Sequence, residues 1–151
     1  MEYKTKIGHA HLKVADLERS IAFYQRFLKL DITQRIGAHY AFLSGNDMHH
    51  ELALQQVGPE APRPHPYGIG LYHVAFEVPS GKDLALAFRT LREAGIDVSP
   101  VNHFISWALY FSDPDGNGLE IYWDTRAKSF GKKSWSGYSE AISEQQLDAL
   151  L

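Results

Sequence analysis

One succession of patterns occurs twice in this chain and narrows the folds open to it: a strand, a helix, then three strands. Residues 7–14 alternate, with Ala10, Leu12 and Val14 on one face and His9, His11 and Lys13 on the other. Asp16 follows at a position suited to capping a helix, and Leu17, Ile21, Tyr24 and Leu28 then recur at helical spacing. Three strands are expected at 31–35, 39–44 and 49–55, with Gly37 and the Ser44-Gly45-Asn46-Asp47 run as turns. The pattern then starts again. Residues 72–78 place Val74, Phe76 and Val78 opposite His73, Ala75 and Glu77, and Ser80-Gly81 breaks the strand. A helix over 83–94 carries Leu84, Ala87, Phe88 and Leu91 on one stripe and stops at Gly95. Strands are expected at 96–100, 105–112 and 118–123, the last two separated by the tight Asp-Pro-Asp-Gly-Asn turn at 113–117.

The expected fold class is therefore α+β, two βαβββ modules paired around a central cleft. Module one runs over about 7–57 and module two over about 71–124, within a single domain at 1–124. The Pro- and Gly-rich stretch 58–70 reads as the linker between them. Residues 125–151 read as a C-terminal extension, in which Ser143-Glu144-Gln145-Gln146 has the form of a capping box opening a short helix.

Composition removes several classes of function. With 151 residues, one domain is expected. The net charge of -3 and the absence of a basic run give no nucleic-acid surface. No apolar stretch approaches the roughly 20 residues that span a bilayer, and the polar start has no signal-peptide core. Cysteine is absent, so a disulfide framework and a thiolate metal site are both excluded. A cytoplasmic protein is expected, and any metal must be held by imidazole and carboxylate.

Position selects among the eight histidines. His9 and His73 occupy equivalent places on the first strands of the two modules, opposite the apolar faces. On the last strand of module two, Leu119, Ile121 and Trp123 share one face, so Glu120 and Tyr122 share the other. If both modules turn these faces to one cavity, His9, His73 and Glu120 point into it. Two imidazoles and one carboxylate form the facial triad suited to Fe(II) oxygen chemistry, because the opposite positions stay open. The bland alternative is a polar cavity wall or an exposed strand face. His11 and His39 fit such a lining, and His65 a solvated linker.

Three runs carry a family resemblance. They are Gly8-His9-Ala10-His11-Leu12-Lys13-Val14-Ala15-Asp16-Leu17-Glu18-Arg19-Ser20, His73-Val74-Ala75-Phe76-Glu77-Val78, and Tyr110-Phe111-Ser112-Asp113-Pro114-Asp115-Gly116-Asn117-Gly118-Leu119-Glu120. In this order they resemble the vicinal oxygen chelate superfamily over roughly residues 7–124. The run His49-His50-Glu51-Leu52-Ala53-Leu54 resembles type I extradiol catechol dioxygenases within it. That resemblance implies an Fe(II) or Mn(II) site at His9, His73 and Glu120, with His50, His103 and Tyr110 as catalytic residues. His50 would be the acid/base group and not a ligand. The substrates implied are a small aromatic diol and dioxygen, and the family-level expectation for assembly is a homodimer or higher oligomer.

Many members of that family carry two such domains, whereas one is expected in these 151 residues, and the spacing from His103 to Glu120 is a residue or two short of the family's. Read singly, His50 can be a surface residue beside a turn, His103 a loop residue and Tyr110 a core aromatic. A glyoxalase-like isomerase or fosfomycin-modifying enzyme would use Ni, Zn or Mn and take a fourth ligand from the last strand of module one. Strand parity separates the two. If His50 faces the cavity, Glu51 faces away, and a ligating Glu51 requires the opposite register. A binding protein that sequesters an aromatic compound without catalysis is the third reading, and it predicts no bound metal.

Overall fold

Alternation and capping place the first helix, and it packs on a four-stranded sheet. The computed structural model describes residues 2–151, which divide into a unit reaching to Pro66 and a second from Tyr67 to Leu151. In the first unit the order is β1 (Ala10–Val14), α1 (Leu17–Leu28), β2 (Asp31–Ile36), β3 (Tyr40–Ser44) and β4 (Leu52–Gln56). Asp16 sits extended before α1, and its Oδ1 accepts from Arg19 N at 2.8 Å, satisfying a donor the helix leaves open. The Gln56 side-chain oxygen accepts from Leu17 N at 2.8 Å and so ties the helix start to β4. Leu17, Ile21 and Tyr24 are buried where α1 packs over β3 and β4. Burial of such side chains contributes about 2 kcal/mol each. The helix ends at Lys29, whose φ of 57° is left-handed. The sheet order is β1-β4-β3-β2, with β1 and β4 parallel and the other pairs antiparallel.

The second unit repeats the scheme and adds to it: β5 (Val74–Glu77), α2 (Gly81–Glu93), β6 (Ser99–Asn102), β7 (Ser106–Ser112), β8 (Gly118–Asp124), β9 (Glu140–Ala141) and α3 (Glu144–Asp148). The sheet order is β5-β8-β7-β6-β9, and β5 and β8 are parallel. Leu84, Phe88 and Leu91 of α2 are buried, as are Leu109, Phe111, Leu119 and Ile121 of the strands beneath. A Cβ at Gly81 would lie 2.8 Å from the Trp123 ring, so the helix start rests directly on that indole. The two sheets, of four and five strands, make the fold α+β as the pattern predicted.

Several boundaries differ from the sequence reading, each for a local reason. α2 starts at Gly81, because Ser80 acts as its cap and accepts from Asp83 N. β6 begins at Ser99 and not at 96, because Gly95 has φ +74° and Ile96 N is spent on Leu91 O, closing the helix end. Ala85 is buried on the α2 stripe, whereas Ala87 is only half-buried. β4 begins at Leu52, so His49 and His50 precede the strand. β1 and β5 likewise open one residue after His9 and His73. The capping box at Ser143 is formed and opens α3. β9 was not expected: Val101 pairs with Ala141 and Asn102 with Glu140, which adds the C-terminal segment to the second sheet. Arg89 of α2 holds Asp148 of α3 at 2.8 Å.

Candidate metal and acid–base site

The parallel pairing of β5 with β8 assembles two of the predicted groups. Ala75 lies opposite Glu120, and Glu120 lies opposite Tyr110 on β7. His73, just ahead of β5, brings Nε2 to 2.8 Å from Glu120 Oε2. Glu120 is 8% exposed, and a carboxylate is rarely this buried unless it is paired or holds a cation. The pair fits a metal. Two donors at right angles on a cation with bonds of about 2.1 Å stand about 3 Å apart. His73 Nδ1 is buried with no hydrogen-bond partner.

Around Glu120 the second unit carries a chain of polar contacts. Tyr110 stands opposite Glu120 across β7 and β8, and its hydroxyl lies 2.8 Å from His103 Nε2. His103 Nδ1 lies 2.7 Å from the Ser139 hydroxyl. Burial, then the Glu120 charge, pushes the Tyr110 phenol well above its usual range, so it stays a donor. The Trp135 indole stands edge-on to the His103 ring, with centroids 5.9 Å apart. His103, Tyr110, Glu120 and His73 thus form one contiguous polar cluster in the second unit.

The first unit gathers histidines. The rings of His9 and His50 pack with centroids 4.4 Å apart. His50 Nδ1 lies 2.8 Å from His49 Nδ1, and His49 Nε2 lies 3.0 Å from the Gln34 side-chain oxygen. That oxygen can only accept, so a neutral His49 carries its proton on Nε2 and leaves Nδ1 bare. The contact between the two Nδ1 atoms then requires the proton on His50 Nδ1, and His50 Nε2 keeps its lone pair. The His50 pKa is lowered by burial, then by the neighbouring imidazoles of His9, His49 and His11. Glu51 turns the other way. Its carboxylate accepts from Gly45 N at 2.9 Å and from Asn46 Nδ2 at 2.8 Å, and so holds the turn between β3 and β4.

Among the described residues, neither unit by itself gathers three metal-holding His, Cys, Asp or Glu groups. His9 belongs to the first unit, whereas His73 and Glu120 belong to the second. Sequence reasoning missed His49, Gln34 and Ser139. The first had a signal, since a His-His pair places one ring against the other. Gln34 and Ser139 reach their partners only through strand pairing.

The chain belongs to the Glyoxalase/Bleomycin resistance protein/Dioxygenase superfamily, whose family profile matches residues 6–121. Among curated proteins it is 32% identical over 147 residues to a catechol-2,3-dioxygenase of Bacillus subtilis (strain 168), covering 97% of this chain and 51% of that protein. It is 37% identical over 103 residues to biphenyl-2,3-diol 1,2-dioxygenase 3 of Rhodococcus globerulus, covering 61% of this chain and 53% of that protein. The chain thus spans about half the length of these curated relatives. The glutathione transferase FosA of Serratia marcescens is 28% identical, with 77% of this chain and 79% of that protein covered. Among solved structures, a glyoxylase/bleomycin resistance protein/dioxygenase domain from Frankia sp. EAN1pec superposes with a TM-score of 0.68 at 25% identity. The match covers 81% of this chain and 99% of that one. Among the described residues no helix is long and apolar enough to cross a membrane.

Proposed function

We propose that the chain is an Fe(II)-dependent extradiol dioxygenase that opens a catechol-type ring beside its two hydroxyls. In this reading His9, His73 and Glu120 hold the metal, with the two modules paired around it in a homodimer or higher oligomer. The observation that carries it is the division of labour between adjacent residues: Glu51 is occupied at the 45–46 turn, while His50 lies against His9. A four-ligand isomerase site would need Glu51 where His50 stands. Mn(II) fits the same donor set.

Fe(II) bound there would activate dioxygen and acidify the diol it chelates. The residues of the chain do the rest. His50 offers a bare Nε2 to a substrate hydroxyl, because His49 holds the proton on Nδ1. Its lowered pKa keeps that nitrogen unprotonated at neutral pH, so it takes a proton from the diol and later returns it. Tyr110 keeps its phenolic proton and donates a hydrogen bond. His103 buttresses Tyr110 from behind.

The similarity to FosA supports a second reading, a glyoxalase-like or fosfomycin-modifying enzyme using Ni, Zn or Mn without redox change. Anaerobic loading with Fe(II), followed by oxygen uptake over a panel of catechols, separates the two. One dioxygen consumed per diol, with both of its atoms in a ring-opened product, is the expected result. Bound iron without uptake on any diol overturns the reading. So does loss of metal in Glu51→Gln.

A further inference from the structure

We infer that Ser139 is a positioning residue of the active site, which fixes the tautomer of His103 and thereby the direction in which Tyr110 points its proton. The C-terminal segment is then part of the catalytic unit and not an appendage to it.

The register of the second sheet places the residue. β9 runs antiparallel to β6, with Val101 opposite Ala141 and Asn102 opposite Glu140. One step further along the same register sets His103 opposite Ser139, and their side chains meet at 2.7 Å. The approach is secured on both sides. Lys132 N donates to Phe104 O at 2.7 Å, and Ile142 N donates to Pro100 O at 3.1 Å. Between these points Trp135 stands edge-on to His103, and its Nε1–H donates to Tyr138 O at 2.9 Å. Tyr138 in turn stacks on Phe104, next in the chain to His103. The loop 132–139 is thus folded against the imidazole and bonded to itself.

Proton counting then gives the direction of the chain of contacts. The Glu120 carboxylate can only accept. The Tyr110 hydroxyl has one proton, and the carboxylate opposite it across β7 and β8 is a stronger acceptor for it than a neutral imidazole. The 2.8 Å contact between Tyr110 and His103 therefore takes its proton from His103 Nε2. A neutral imidazole with a proton on Nε2 has a bare Nδ1, which accepts the Ser139 hydroxyl proton. Every donor has one acceptor, from Ser139 through His103 and Tyr110 to Glu120. Without the hydroxyl of residue 139, only the Tyr110 oxygen still favours the proton on Nε2. In the other tautomer Nε2 becomes an acceptor that competes with Glu120 for the Tyr110 proton.

Only the effect on turnover rests on the proposed dioxygenase reading; the tautomer does not. The test uses the full chain with 15N-labelled histidine, with His103→Gln identifying the His103 signals. In long-range 1H–15N spectra at neutral pH, the unsubstituted protein should show His103 as the Nε2–H tautomer. Ser139→Ala should move it to a mixture of tautomers, and Ser139→Thr should restore it. With a catechol that is turned over, Ser139→Ala should lower kcat by roughly tenfold to a hundredfold with little change in KM, and Ser139→Thr should recover most of the loss. Absence of turnover in every variant, with the tautomer shift intact, sinks the dioxygenase reading and leaves the positioning role standing. A His103 signal that is Nδ1–H in the unsubstituted protein, or unchanged in a folded Ser139→Ala, overturns the inference.

Discussion

Gly118→Ala tests whether backbone packing places His73. A Cβ built at Gly118 lies 2.2 Å from Tyr72 O and 3.4 Å from His73 Cα. The first contact is with backbone, so no side chain can swing aside. Restoring an ordinary carbon–oxygen separation requires about 1 Å of movement between the start of β8 and the residue before His73, an overpacking cost of about 2 kcal/mol. For a chain of this size that lowers the melting temperature by about 4–8 °C. The movement passes into His73, whose Nε2 lies 2.8 Å from Glu120 Oε2. A donor pair opened by about 1 Å no longer spans one cation, so metal affinity should fall roughly tenfold to a hundredfold. Thermal unfolding and a metal titration are the measurements, with Ser112→Ala, the exposed residue paired with Gly118, as control. If Gly118→Ala melts and binds metal as the control does, the close approach does not position His73 and the reasoning fails.

Glu51→Gln should retain full metal stoichiometry yet lose about 1–2 kcal/mol, because Gly45 N and Asn46 Nδ2 lose a charged acceptor; urea unfolding and metal analysis of one preparation decide it. Asp113→Ala should cost about 2–3 kcal/mol in urea unfolding. This buried carboxylate accepts from Asp115 N, Asn117 N and Asn117 Nδ2, and wild-type stability in the variant would remove the turn as a structural element. Asp124 is held down at about 2 by Arg126, through a side-chain and a backbone hydrogen bond. A carboxylate depressed in the folded state adds stability above its unfolded pKa and loses it as pH falls through the folded one. Melting temperatures of the wild type and Asp124→Asn should therefore differ by a constant amount above about pH 4 and converge toward pH 2; a constant difference throughout would disprove the pairing.

Much of this was legible in the sequence because period and capping are local. Alternation in 7–14 and 72–78, the Asp16 cap and the Asp113 turn each depend on residues within one or two turns of chain. Glu120 and Tyr122 share a face by parity, and the register sets Glu120 opposite Tyr110 on β7. Where strands start was less legible. A run such as His49-His50-Glu51 alternates no differently from a strand, and only the Glu51 bonds to Gly45 and Asn46 show the chain turning there. Ser139 was out of reach for another reason. β9 has two residues, too short for any period, and it exists only because β6 supplies the partner.

Each module closes on itself by a parallel pair, β1 with β4 and β5 with β8. Topologically, then, the covalent link between the halves takes no part in either ladder. No ladder rung among the described residues joins one sheet to the other, and the stretch between β4 and β5 contributes no strand to either. A single nick by a protease in that stretch would cut the chain without removing one inter-strand hydrogen bond. The same freedom would let a half from one copy take the place of its counterpart in another, because nothing in the ladders records which chain a module came from.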